Sequence, residues 1–190
     1  MLTKLIAVYL FLGMSKSISQ TNIYCLSDSI PSLDQSLNNI FKIGSLIGIK
    51  EHVGIKEFNK IRKSYYNEIY ISNSDKTQYA QLFVYFLGNA YIRKILVTYP
   101  EKEDEKKYMY KSKIKSFTTN RKIRLGIAEE EFEKISQDTK YKISNQNGYK
   151  VYEIYRVIDP KKEVSHLDNE YSCFYFFRDH KLMSFSFGYF

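Results

Sequence analysis

Tryptophan is absent from the 190-residue chain, and cysteine, histidine, proline and glycine are scarce: two Cys, three His, three Pro and eight Gly. Two Cys exclude a disulfide-dense scaffold, and three scattered His do not compose an all-protein transition-metal cage. So little Gly and Pro excludes collagen-like and linker-like polymers, and an apolar share of 44% excludes a disordered chain. No apolar run reaches the roughly 20 residues that a membrane-spanning helix requires. The Gly-x-Ser-x-Gly elbow, the phosphate-cradling Gly-x-x-x-x-Gly-Lys and His-Glu-x-x-His are all missing. What remains has the size of one globular domain, in which 18 Tyr and 13 Phe must fill the core and also furnish any contact surface.

The first residues read as an address. Leu5–Met14 is a ten-residue apolar run behind a short basic start, and Ser17-Ile18-Ser19 has the small-x-small shape of a cleavage site. This predicts a signal peptide over 1–19 and an exported chain from Gln20, periplasmic or secreted, with no transmembrane segment. A buried N-terminal core helix is the competing reading of the run. Lipid attachment at Cys25 is excluded by the large Tyr24 before it. In an oxidising compartment Cys25 and Cys173 could form a disulfide tethering the two ends of the fold; the alternative is a small buried Cys173 inside an aromatic strand.

Residues 100–107 (Pro100 to Lys107) contain no apolar side chain and read as a solvated connector between a first half, 20–99, and a second, 108–190. The halves echo each other. Gly54-Ile55 leads into Lys56–Ile61, and Gly126-Ile127 into Ala128–Ile135; each places Phe and Ile three apart on one helical face. A strand follows each helix, at Asn67–Ser72 and Tyr149–Ile158, and then a hairpin: Tyr79–Leu87 with Ala90–Tyr99, and Tyr171–Phe177 with Lys181–Tyr189. In the last strand Met183, Phe185, Phe187 and Tyr189 should face a core, with Ser184, Ser186 and Gly188 opposite. Upstream, Ile40–Ile49 and Tyr108–Thr118 are strand-like, and Ser32–Gln35 could cap a short helix. The expected fold is α+β, an antiparallel sheet with short helices on one face, built from two pseudo-repeated halves.

Charge is concentrated. Of 29 Lys and Arg, eight lie between Lys106 and Arg124 in a stretch without an acid, leaving 21 to balance the 21 Asp and Glu. If the segment is extended, Lys111, Lys113 and Lys115 share one face. They are either edge-strand guards against association or, with Arg121, Lys122 and Arg124, a stripe for an anionic partner, lipid or glycan. Nucleic acid is disfavoured by the export signal and by the lack of any nucleic-acid-binding signature.

No catalytic constellation emerges, and no cofactor or metal is called for. His166 and Asp168 could form an orienting pair for a hydrolase, yet they sit in an apparent loop. Asp179-His180 is explained by turn chemistry, and Cys173 by burial. Glu129, Glu130 and Glu131 are too dense for a positioned acid/base pair and are accounted for by their place at a helix start.

The run Lys122–Phe132 (KIRLGIAEEEF) resembles the strand, Gly and Glu-rich helix that open small exported bacterial proteins of the SmpA/OmlA outer-membrane-assembly type. The tandem beta-lactamase-inhibitor-protein fold is similar. The resemblance spans roughly Lys113 to Phe190, with a fainter echo in the first half, although Ile135-Ser136-Gln137-Asp138 stands where those families carry Leu-Gly-x-Pro. It implies helices packed on an antiparallel sheet and a non-enzymatic protein that works by binding. The expectation is thus an exported binding protein that contacts a protein partner or an anionic envelope component. The alternatives are an inhibitor or immunity factor using sheet-face aromatics, and a hydrolase.

Overall fold

The computed structural model describes residues 33–55, 58–59, 66–87, 89–100, 110–157 and 170–189. The signal segment, Cys25, the 101–107 part of the connector, Lys56, Glu57, Lys60, Ile61, His166 and Asp168 lie outside the described residues. Strands β1 (Ser36–Leu37) and β2 (Phe41–Lys42) form a small hairpin, followed by helix α1 (Ile47–Val53). Then come β3 (Tyr66–Ser72), β4 (Tyr79–Leu87), β5 (Asn89–Thr98), β6 (Tyr110–Lys111), helix α2 (Glu129–Ile135), β7 (Lys142–Gln146), β8 (Tyr149–Val157), β9 (Glu170–Arg178) and β10 (Lys181–Tyr189). The last eight strands make one sheet in the order β6-β3-β4-β5-β10-β9-β8-β7, antiparallel throughout except where β6 meets β3. The fold is α+β and mostly sheet.

Period-two alternation sets the core face. Ala80, Leu82 and Val84 of β4 stand opposite Val97, Ile95 and Ile92 of β5. The rows continue through Phe185 and Phe187 of β10 to Tyr175 and Cys173 of β9, and on to Tyr152 and Ile154 of β8. Phe132 of α2, Ile49 of α1, Leu37 and Phe41 belong to the same buried cluster. Each such side chain contributes about 1.5–3 kcal/mol on leaving water, and the sheet has no core without the helices that cover it.

Several local expectations change. Ile40–Ile49 is not a strand: only Phe41–Lys42 is extended, and helix α1 begins at Ile47. In place of a helix capped by Ser32–Gln35, the β1–β2 hairpin turns through Asn38 and Asn39, both at positive φ (53° and 56°). Of the Tyr108–Thr118 stretch the described residues begin at Tyr110, and among them only Tyr110–Lys111 is a strand. β10 is interrupted between Leu182 and Ser184, which brings Leu182 rather than Met183 into the core. Ser186 and Gly188, expected on a solvated face, are buried.

Polar contacts fasten the entering chain to the sheet. Asn120 Oδ1 accepts the Gln35 and Ser36 amides at 2.8 and 3.2 Å, and its Nδ2 donates to the Leu33 carbonyl at 3.1 Å. Asp34 is fully buried; its Oδ2 accepts from the Tyr175 hydroxyl and its carbonyl from Tyr171. Burial pushes the Asp34 carboxyl up, against the lowering effect of Tyr175. Cys173, wholly buried with Sγ 3.4 Å from the Tyr171 hydroxyl, is pushed up to about 12 by burial. It is a packed thiol with no thiolate character for nucleophilic work.

The face of the sheet opposite the core cluster carries Phe83, Leu96, Phe174 and Phe176, all half-buried, around the small Ser184, Ser186 and Gly188 of β10. Lys94 stands in that face at 7% exposure, its ammonium 5.4 Å from the Phe83 ring centroid. Burial lowers its amine from 10.5 to about 7, helped by the charge of Arg93. Between those values the unfolded chain holds a proton that the folded chain does not, so stability rises with pH across that window. Urea titrations of wild type and Lys94→Met are expected to diverge with a slope of up to about 1.4 kcal/mol per pH unit. Parallel curves would show that the ammonium is not desolvated.

Candidate functional site

Two hairpin turns and the start of α2 come together at one end of the sheet. The β7–β8 turn is Asn147-Gly148 at φ 50° and 79°, the pair that a tight two-residue hairpin favours. The β9–β10 turn is Asp179-His180 at φ 50° and 57°, where His stands in place of the usual Gly. A non-glycine residue held at positive φ signals a constraint from its surroundings. That constraint is Glu129, whose Oε2 lies 2.9 Å from His180 Nδ1 and whose amide donates to the His180 carbonyl at 2.9 Å.

Glu129 is the hub. Its side chain is 9% exposed, and Oε1 accepts from Lys150 Nζ at 2.5 Å and from the Tyr152 hydroxyl at 2.6 Å. The Tyr152 hydroxyl also lies 2.5 Å from Glu133 Oε1, one helical turn along α2. Burial by itself would raise the Glu129 carboxyl; the bonds from Lys150, Tyr152 and His180 outweigh it and hold the group at about 2. Burial, together with the two carboxylates, drives the Tyr152 phenol strongly upward, so it stays protonated as a donor.

Around this hub lies a cleft of about 480 Å³ lined by Glu129, Asn145, Lys150, Arg178, Asp179 and His180, with Tyr149 and Phe177 as apolar walls. The Arg178 guanidinium carbon sits 4.0 Å from the Tyr149 ring centroid, within cation–π distance. Since a carboxylate only accepts, His180 Nδ1 carries the hydrogen of that bond. The His180 side chain is 90% exposed and offers Nε2 to solvent. The arrangement supplies an oriented imidazole, a planar cation and a saturated carboxylate. Among the described residues no group of His, Cys, Asp and Glu is arranged to hold a metal.

The basic stretch behaves differently from the expectation. Lys111, Lys113 and Lys115 are all exposed, with buried Ser112 between the first two. The segment is fastened edgewise to β3 and its turn: the Ser112 amide donates to the Ser72 carbonyl at 3.0 Å, Ser74 N to the Ile114 carbonyl at 2.7 Å, and Asn73 Nδ2 to the Lys115 carbonyl at 2.8 Å. Lys122 is exposed at φ 68°. Arg121 turns inward, donating to the Tyr141 hydroxyl, the Ile135 carbonyl and Thr139 Oγ1 at 3.3–3.5 Å, and it faces Asp34. Arg124 lies 3.8 Å from Glu131. Among the described residues, four of the six cations therefore face solvent with no acid at ion-pair distance, Arg124 is exposed beside Glu131, and Arg121 serves the fold.

Sequence reasoning passed over the Glu129 cleft. Its three adjacent Glu read alike in one dimension, whereas only Glu129 is buried; Glu130 and Glu131 are exposed. The readable signal was the Asn147-Gly148 pair, which marks a hairpin and hence β7, together with a His where that class of turn wants Gly or Asn. No helix among the described residues is long and apolar enough to cross a membrane. No protein-family model, curated protein or solved structure matches this chain.

Proposed function

We propose that this protein is an exported, non-catalytic binding protein of the bacterial envelope whose basic segment meets an anionic lipid or glycan surface. The observation that carries the reading is the outward alternation of Lys111, Lys113 and Lys115 on a main chain pinned to β3, in a stretch free of acid. Fixed lysines at a sheet edge lose little entropy on meeting a charged surface, and the attraction acts through their summed charge. Arg121 and Arg124 are left out of the contact surface, and Lys122 stays in it. The same lysines also discourage edge-to-edge pairing of β6, and the two roles are compatible.

We further read the two halves as an internal echo. The order β3-β4-β5 followed by β10-β9-β8 places two three-stranded meanders about the β5–β10 seam, each preceded in the chain by a helix, which supports that reading. It agrees in kind with the helix-on-sheet layout that the SmpA/OmlA and beta-lactamase-inhibitor-protein resemblance implies. A second reading, an inhibitor or immunity factor gripping a protein, draws on Phe83, Leu96, Phe174 and Phe176 on the sheet face away from the core cluster. It requires a stoichiometric complex insensitive to salt, whereas the basic segment requires the opposite.

Co-sedimentation of the purified protein with vesicles of phosphatidylglycerol and phosphatidylcholine distinguishes the two. A Lys near an anionic surface is worth about 1 kcal/mol, so Lys111→Glu/Lys113→Glu/Lys115→Glu is expected to weaken binding by about 100-fold or more. Binding of the unaltered protein should fall as salt rises. Equal binding by the triple variant would remove the segment as a site.

A further inference from the structure

The eight-stranded sheet ends in two edges, and the chain treats them differently. β6 closes one edge with two residues and runs into exposed Lys113 and Lys115, a guard against a further strand. β7 closes the other with five residues, Lys142–Gln146, which hold no proline, a single lysine and no register shift against β8. Ile143, within that edge, is 53% exposed, one of three large apolar side chains so exposed among the described residues.

The hairpin register fixes which backbone groups this edge offers. A two-residue turn is closed by a pair that exchanges both hydrogen bonds, here Gln146 and Tyr149, and bonded and non-bonded pairs then alternate along the ladder. Ser144 and Lys142 therefore also bond to β8, opposite Val151 and Glu153, while Ile143 and Asn145 turn their N–H and C=O groups away from it. Both are exposed, and among the described residues no strand or backbone group pairs with that side of β7.

Two copies of this edge fit each other. Set antiparallel about Ser144, Ile143 of each copy lies opposite Asn145 of the other. Every outward N–H of these two residues then meets an outward C=O across the axis, with none left over. Lys142 falls opposite Gln146, so no like charges meet, and the small Ser144 faces itself. Ile143 shares the face of its partner Tyr152, the side that α2 covers, and there the two Ile143 side chains come diagonal to each other. We propose that β7 is a homodimer interface, which joins two eight-stranded sheets edge to edge about a two-fold axis at Ser144.

That axis stands normal to the sheet, so the helices of both copies lie on one side and both β6 edges lie at the far ends. The dimer leaves Lys111, Lys113 and Lys115 uncovered in each copy and does not depend on what they meet.

Sedimentation velocity of the purified protein between about 1 µM and about 1 mM is expected to show monomer giving way to dimer, since so few hydrogen bonds make a weak interface. Asn145→Pro removes an outward N–H and spares the β8 ladder, so it should stay a folded monomer. Ile143→Lys, which brings two cations together across the axis, should weaken association by about tenfold or more. Thermal melts of both variants close to that of wild type separate loss of the interface from loss of the fold. Lys111→Glu/Lys113→Glu/Lys115→Glu should dimerise unchanged.

Cross-linking reads the register. Residues facing in a non-bonded pair hold their Cα atoms about 4.5 Å apart, so oxidised Ser144→Cys should form a covalent dimer. Lys142→Cys, placed opposite Gln146, should not, and the unaltered protein controls for the native thiols. A wild-type protein still monomeric at about 1 mM would leave the edge to a foreign strand and overturn the proposal. So would an Asn145→Pro variant that dimerises like wild type, or a covalent dimer from Lys142→Cys in place of Ser144→Cys.

Discussion

Replacing Phe132 with alanine is expected to cost about 3–5 kcal/mol of folding stability, read as a lower urea midpoint with an unchanged slope. Phe132 is the side chain by which α2 enters the core. Its ring centroid lies 4.8 Å from Tyr175, 5.1 Å from Phe177, 5.1 Å from Tyr152 and 5.4 Å from Tyr141, in tilted and edge-on geometries. Aromatic pairs of this kind add about 0.5–1.5 kcal/mol each beyond area burial, and four share one ring. The neighbours are anchored on strands and on the Tyr141 segment, so the cavity cannot collapse. The loss also reaches the cleft, because α2 carries Glu129 and Glu133 against Tyr152. Phe132→Leu, which keeps most of the volume, should cost far less. An alanine variant within about 1 kcal/mol of wild type would show that α2 is held by something other than this ring.

A second large effect is expected at Gly188, in the seam between β5 and β10. Its φ is 140°, and an added Cβ would stand 2.3 Å from the Arg93 carbonyl oxygen and 2.6 Å from Lys94 Cα. Both obstacles are backbone, so no side-chain rotation relieves them. Arg93 is the extra residue where β5 bulges against β4: Phe83 pairs with Lys94 and Val84 with Ile92. With the β5 backbone this near to β10, only a residue without Cβ fits at position 188. Gly188→Ala therefore breaks the seam joining the two three-stranded meanders, with an expected loss of about 4 kcal/mol or more and little soluble protein. A variant that expresses and melts like wild type would mean that the seam relaxes freely.

Both predictions rest on features that were unequally legible. The helix at Glu129–Ile135 and the strands β3, β4, β5, β8, β9 and β10 follow from apolar periodicity and turn residues, which act locally. β7, with the sequence Lys142-Ile143-Ser144-Asn145-Gln146, has no apolar alternation and is extended only because β8 offers it an edge. The bulge at Leu182/Ser184 shifts the phase of β10, so regular alternation wrongly assigns Met183 to the core. The basic residues were legible as a cluster. Their division into five outward, one of them beside Glu131, and one inward was not, because Arg121 is drawn in by Tyr141 and Thr139, 20 and 18 residues further along the chain. The cleft was the least legible part. Glu129 acquires its character from Lys150, Tyr152 and His180, the last 51 residues away, and no local pattern marks one glutamate of three as the buried one.

The proposed action of this chain outside the cytoplasm is tested most directly by intact-mass measurement of the native protein recovered from fractionated cells. A species beginning at Gln20 in the envelope or the medium is the predicted result. A full-length species retaining Met1 and confined to the cytosol would contradict it, and would withdraw the envelope surface as the partner of Lys111, Lys113 and Lys115.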